Sequence, residues 1–300
     1  MDEFSIRDAL TAFLNKNEPR LVYFLVNFWK NQEQAITYKE LREAILNGEL
    51  SPEYLEQWQQ DYSVFVTTYL QPAWLASIDA AAEELDHWLE EHRMAYVRDW
   101  YDPMYEGIQD WVRTRAADFV TRSSKEQMDA IQAVVQRAAL MEDMNVDKLA
   151  RSIRAMVGLT HQQASSNLRY YEALIKNGMN AKKAQDLQIR DAARKHRYRG
   201  YNIARTELAF SYNKGADFAT RQAQEYGLMG DCVKEWVAGN DDRVCDICRA
   251  LDGKRIAMDE EFEYPTRLAR NNPGIRRTPP AHPSCRCAVK YVEITPPVLK

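Results

Sequence analysis

The chain is poor in cysteine, in histidine and in long apolar runs, and each shortage excludes something. Its longest apolar run, Leu21 to Trp29, is interrupted by Asn27. A bilayer span needs about 20 apolar residues, so no membrane segment is expected. The start Met1-Asp2-Glu3 is acidic and carries no apolar stretch, so a secretory leader is not expected and a soluble chain is. There is no internal repeat, no low-complexity tract and no glycine-rich nucleotide loop. After His196 the only histidine is His282. A nuclease of the His-Asn-His kind needs one histidine as base and separate ligands for its ion, and this C-terminal segment has too few parts.

What cysteine there is has been gathered. Four of the five lie in two knots, Cys245-Asp246-Ile247-Cys248 and His282-Pro283-Ser284-Cys285-Arg286-Cys287. A Cys-x-x-Cys turn aims two thiolates at one point, and His282 and Cys285 repeat the spacing. A Cys3His set is a matched donor set for zinc, and four good ligands describe a closed, structural site. Cys245, Cys248, His282, Cys285 and Cys287 are five candidates for four places. Cys287 is the preferred extra, because Ala288, Val289 and Tyr291 after it read as a strand, and Cys285 is its near rival. A disulfide and ordinary buried thiols are the alternatives. Clustered cysteines suit synthesis in a reducing cytosol.

Charge is divided along the chain. Residues 1–110 carry 21 acidic and 8 basic side chains and the rest 23 and 32, so balances of −13 and +9 underlie the net −4. This suggests different partners at the two ends, with solvated surface as the plainer account. The densest basic patch is Arg194, Lys195, Arg197 and Arg199, with His196 and Tyr198 inside it and Lys182-Lys183 before it. Phosphate contact is the functional reading. A solvated helix end before Gly200 is the bland one.

Before about residue 230 the apolar spacing is helical throughout. Helices are expected over 5–16 and 20–33, parted by Asn17 and Pro19, and over 38–46, stopped by Asn47-Gly48. Ser51 is read as a cap with Pro52 at the first helical position. The next helix is broken by Pro72, and another follows to about Arg93. Trp58, Trp74, Trp88 and Trp100 sit at core spacing. Helices at 105–122 and 125–141 are separated by a capping box at Ser124-x-x-Gln127. Further ones start at Asn145, Thr160 and Asn180, the last ending near Gly200, and one runs from Asn202 to Tyr226. Strands are expected around Val233–Val237, Lys254–Ala257 and Ala288–Ile294. Residues 259–280 read as a basic loop bearing Arg267, Arg270, Arg276 and Arg277. Such a small β module has little core of its own, and zinc replaces it.

Ile203-Ala204-Arg205-Thr206-Glu207 on a helix, then Asn213-x-Gly215, Trp236, Asp242, Cys245-x-x-Cys248, Leu251-Asp252-Gly253 and Pro280-Ala281-His282-Pro283-Ser284-Cys285-Arg286-Cys287 form a recognisable series. It resembles the phage head-morphogenesis family, the minor head proteins of Mu-like tailed phages. The likeness covers about the last hundred residues well and thins toward residue 105. The long helical stretch of about residues 158–200 departs from the simplest family pattern. Arg205, Glu207, Trp236 and Asp242 are the expected structural residues, Arg205 and Glu207 tying their helix to the C-terminal module.

The resemblance implies a virion component at or near the portal, assembled in the host cytoplasm, with a role in prohead assembly and DNA packaging. It implies the portal protein or major capsid protein as partner and no enzymatic activity; the basic patch adds the packaged DNA backbone as a candidate contact, and the short apolar runs imply no membrane. The alternative is a metal-dependent nuclease or transferase carried in the virion. The fold expected is mainly α, an elongated helical bundle or stem with a small C-terminal zinc-stabilised α+β module. The division expected is an acidic helical domain at 1–102, a helical stem at 103–229 and a Cys/His module at 230–300.

Overall fold

Capping chemistry sets several helix ends. A computed structural model describes residues 3–93, 96–140, 146–239, 244–263, 275–276 and 278–297. Helix α1 (Glu3–Ala35) is followed by α2 (Tyr38–Asn47), which opens on a capping box between Thr37 and Glu40 and closes on left-handed Gly48, φ +71°. Helix α3 (Glu53–Phe65) leads through a π-helical turn (Val66–Leu70) into α4 (Gln71–His92). Then come α5 (Glu106–Ala139), α6 (Val146–Arg154), α7 (His161–Lys176) and α8 (Ala181–Glu225). Thr160 and Gln163 box the start of α7, and Asn180 accepts the Lys182 N–H at the start of α8.

The C-terminal part holds β1 (Cys232–Val237), α9 (Asp246–Leu251), β2 (Arg255–Ala257), β3 (Phe262–Glu263), β4 (Ile275–Arg276) and β5 (Ala288–Glu293). Strand β1 lies between β2 and β5, antiparallel to both, with Trp236 opposite Val289. Strands β3 and β4 form a separate pair. The protein is mainly helical with a small C-terminal strand region.

Contacts divide the chain into two compact units, each discontinuous in sequence. The first takes residues 1–19, 71–113 and 202–300, the second residues 20–70 and 114–201. The second is built around Trp29. Its indole N–H donates to Tyr62 Oη at 3.0 Å, and Tyr62 in turn donates to Gln127 Oε1 at 3.1 Å. His196 stacks on Trp29 and Arg199 lies over it. Gly158, at φ +85°, leaves room for the ring: a Cβ there would come within 2.4 Å of Trp29 Cγ. In the first unit Trp74 and Trp100 are buried, and Trp236, Phe262 and Leu89 share one apolar cluster. Gly215 admits the α4 backbone, since a Cβ there would meet the Ile78 carbonyl at 2.5 Å.

Four expected helix breaks are absent, each for a physical reason. Helix α1 runs on through Pro19. A proline removes one N–H bond, but buried Glu18 and Leu21 hold the residues on either side. The break expected at Pro72 becomes the π turn just before it, which widens the backbone where the proline ring meets the preceding carbonyls. Ser124 and Gln127 do not start a helix but lie inside α5. The Ser124 hydroxyl donates back to the Val120 carbonyl at 2.7 Å, and Gln127 serves Tyr62. Gly200 does not end a helix. It lies inside the 45-residue α8, where a Cβ would press on Val22 Cγ1 at 3.3 Å.

At α3 the cap position falls on Pro52, with no side-chain bond from Ser51. The cap expected at Asn145, and Arg267, Arg270 and Arg277 of the basic loop, lie outside the described residues.

Candidate metal centre

Cys245 is the N-cap of α9, and its Sγ accepts the Cys248 N–H at 3.4 Å. That bond closes the Cys-x-x-Cys turn and puts both sulfurs on one side of it. Across the gap, the Cys285 N–H donates to the His282 carbonyl at 3.2 Å, closing a second turn of the same length. His282 Nδ1 lies 2.9 Å from the Pro283 carbonyl. A proton placed there leaves Nε2 as a bare lone pair, the usual arrangement of a metal-binding imidazole.

That Nε2 lies 3.1 Å from Cys245 Sγ and 3.2 Å from Cys248 Sγ, and Cys248 Sγ lies 3.6 Å from Cys285 Sγ. Metal–sulfur bonds of about 2.3 Å in a tetrahedron give edges of about 3.8 Å, so these separations are near those of donors sharing one ion. The donors fall into two overlapping groups, Cys245–Cys248–His282 and Cys248–Cys285–Cys287, each within 4.8 Å. Cys248 belongs to both. The structure therefore brings all five sequence candidates together, and the donor chemistry fits zinc. No disulfide joins any of the five cysteines.

Burial sharpens the electrostatics. Cys248, Cys285 and Cys287 are buried and Cys245 is half-buried. Cys285 is held well below the ordinary thiol range because Cys248, and then Cys287, hydrogen-bond to it. Cys248 is correspondingly pushed up by its bond to Cys285. A buried thiolate without a counter-charge is costly, and a divalent cation supplies one. Cys232 stands apart: its thiol donates to the Gly230 carbonyl, and burial pushes it up to about 12.

The surroundings explain the rest of the motif series. Trp236 is fully buried, edge-on to Phe262, with its indole N–H beside the Cys287 sulfur. Asn213 of α8 donates to the Cys287 carbonyl at 3.3 Å and accepts the Val289 N–H at 2.8 Å, so one side chain sews the start of β5 to the helix. Arg205 forks onto buried Glu18 with two bonds of 2.7 Å. Glu207 is buried. Asp242 lies outside the described residues.

Thr206, the middle member of the Arg-Thr-Glu series, reaches the loop that carries His282 and Cys285. Its hydroxyl accepts the Ser284 N–H at 3.0 Å, and Ser284 Oγ donates to Asn202 Oδ1 at 2.6 Å. Sequence reasoning missed Asn202 and Ser284. The Asn202–Thr206 spacing of one helical turn was the available signal.

The basic patch on α8 splits by burial. Lys182, Lys183, Arg194 and Arg197 are exposed, Arg194 beside Asp191 at 3.3 Å. Lys195 also pairs with Asp191. Arg199 is buried and donates to the Gly158 carbonyl and to Glu126 at 2.6 Å.

No helix among the described residues is long and apolar enough to cross a membrane. No curated protein and no solved structure matches the chain. Residues 129–290, more than half of the chain and including all five metal-site candidates, match the model of the family described as Phage Mu protein F like protein; the chain belongs to that family, one of phage head morphogenesis.

Proposed function

We propose that this protein is a minor component of a tailed-phage head, acting at or near the portal in prohead assembly and DNA packaging, with one structural zinc ion. The observation that carries the reading is the family match over residues 129–290. The zinc is held by Cys245, Cys248, His282 and Cys285, with Cys287 as a buried neighbour. Four protein donors leave no open position for substrate, which favours a structural over a catalytic ion. The acidic N-terminal residues dock protein, the portal or major capsid subunit. Cross-linking and mass spectrometry of isolated proheads tests this: links to the portal at low copy number support it, and absence of the protein from proheads overturns it.

The exposed cations Lys182, Lys183, Arg194 and Arg197 contact packaged DNA through its phosphates. Four such contacts weaken duplex binding about a hundredfold between 50 and 200 mM salt, without sequence preference. Anisotropy measurements showing affinity unchanged across that range would remove DNA from the list of partners.

A further inference from the structure

We propose that Thr206 and Asn202 of α8 are positioning residues of the metal centre: they hold Ser284 so that His282 and Cys285 face Cys245 and Cys248. The proposal rests on the metal reading above. Ser284, in the turn between the two donors, has φ +60°, a left-handed conformation that a serine seldom adopts. It sits immediately before Cys285 and two residues after His282, so its backbone direction sets where both donors point.

The support comes from one turn of α8. Thr206 Oγ1 accepts the Ser284 backbone N–H at 3.0 Å and donates a hydrogen bond to the Asn202 backbone carbonyl at 2.6 Å. The Asn202 side chain accepts the Ser284 hydroxyl at 2.6 Å. The left-handed residue is thus gripped at both its backbone and its side chain. Two turns further along α8, Asn213 fixes Cys287 and Val289. The backbone on either side of Cys285 is therefore laid against α8, while Cys245 and Cys248 are set by their own turn and by α9. One half of the centre is preformed locally, and the other is templated by the helix.

Outer partners that orient ligands typically change metal affinity about 10- to 100-fold when removed. The test uses the full-length chain, zinc and a chromophoric competing chelator. Thr206→Val keeps the shape and loses both bonds, and a zinc affinity lower by about 10- to 100-fold is expected. Thr206→Ser restores the hydroxyl and returns the affinity to that of the unsubstituted protein. Asn202→Ala, at a half-buried position that tolerates truncation, loses only the Ser284 hydroxyl contact and gives a smaller loss in the same direction. Thermal unfolding of the metal-free proteins is the control, and it is expected to move little.

If Thr206→Val and Asn202→Ala both bind zinc as tightly as the unsubstituted chain, the positioning role is overturned. The same follows if Thr206→Ser fails to recover what Thr206→Val loses. If the unsubstituted chain itself takes up no zinc, it is the metal reading that falls, and this inference with it.

Discussion

The unit made of residues 20–70 and 114–201 and the strand-bearing segment 232–293 are built around different side chains. The first surrounds Trp29 with His196, Arg199, Tyr62 and Gly158, and the Trp29 indole, the Tyr62 hydroxyl, the His196 ring and the Arg199 guanidinium find partners among its own side chains and carbonyls. In the second, β2 has three residues and β3 and β4 two each. Cys248, Cys285 and Cys287 stand in its apolar cluster beside Trp236. Where one region puts an aromatic ring at its centre, the other puts sulfur, and sulfur so placed has a use when a metal joins it. The lesson is that chelation should damage the second region and leave the first alone.

The largest effect expected follows from Cys248, the donor common to both groups. Cys248→Ser is expected to abolish zinc binding, which contributes on the order of 10 kcal/mol in small zinc modules. Limited proteolysis should then cut within residues 232–297 while the helical unit survives. Cys287→Ser, by contrast, leaves the zinc content at that of the unsubstituted chain, and a loss of zinc there would exchange the parts assigned to Cys285 and Cys287.

The converse break is Gly158→Ala. It puts a Cβ 2.4 Å from Trp29 Cγ on a residue with φ +85°. Steric overlap and left-handed strain together cost about 3–5 kcal/mol. Denaturant unfolding should show the loss with zinc stoichiometry unchanged. If zinc is lost as well, the two regions are not separable in the way described.

An acid test sharpens the same contrast. Burial pushes His196 down to about 4, from an ordinary value of 6.5. Its Nε2 lies 2.7 Å from the Val157 carbonyl, so the neutral ring donates there. Above pH 6.5 the imidazole is neutral folded and unfolded, and the contribution is complete. As pH falls from 6.5 toward 4 the unfolded chain takes up the proton first, and about 3 kcal/mol is lost. His196→Gln should flatten that part of the stability–pH curve, as read from urea midpoints. An unchanged slope would show that other groups set it.

The smallest effect expected is at a helix end. Thr160→Ala deletes the hydroxyl that accepts the Gln163 N–H and should lower stability by about 1 kcal/mol, measurable as a shift in Tm with zinc binding untouched.

Helix ends were legible where a side chain closes them: Thr160 with Gln163, Asn177-Gly178, and Asn47-Gly48 all mark real ends. The false breaks at Pro19, Ser124 and Gly200 were not legible, because the same residue types serve inside helices once distant neighbours engage them. Gln127, the other half of the box expected at Ser124, accepts from Tyr62, and Gly200 makes room for Val22. Neither partner can be read from local spacing.

The candidate donors were visible because their chemistry is rare in this chain and their spacing short. Their supports were not, because Thr206 and Asn202 are ordinary helix residues until the loop carrying Ser284 folds back on them. Arg199 illustrates the opposite error of emphasis: it stands in a basic run, yet it is buried on Trp29 and spent on Glu126.

The most direct measurement is native mass spectrometry of the purified chain together with cysteine alkylation, with and without a strong chelator. The account predicts one zinc ion per chain, with Cys245, Cys248 and Cys285 protected from alkylation until the chelator is added. A metal-free protein whose cysteines alkylate identically under both conditions would contradict it.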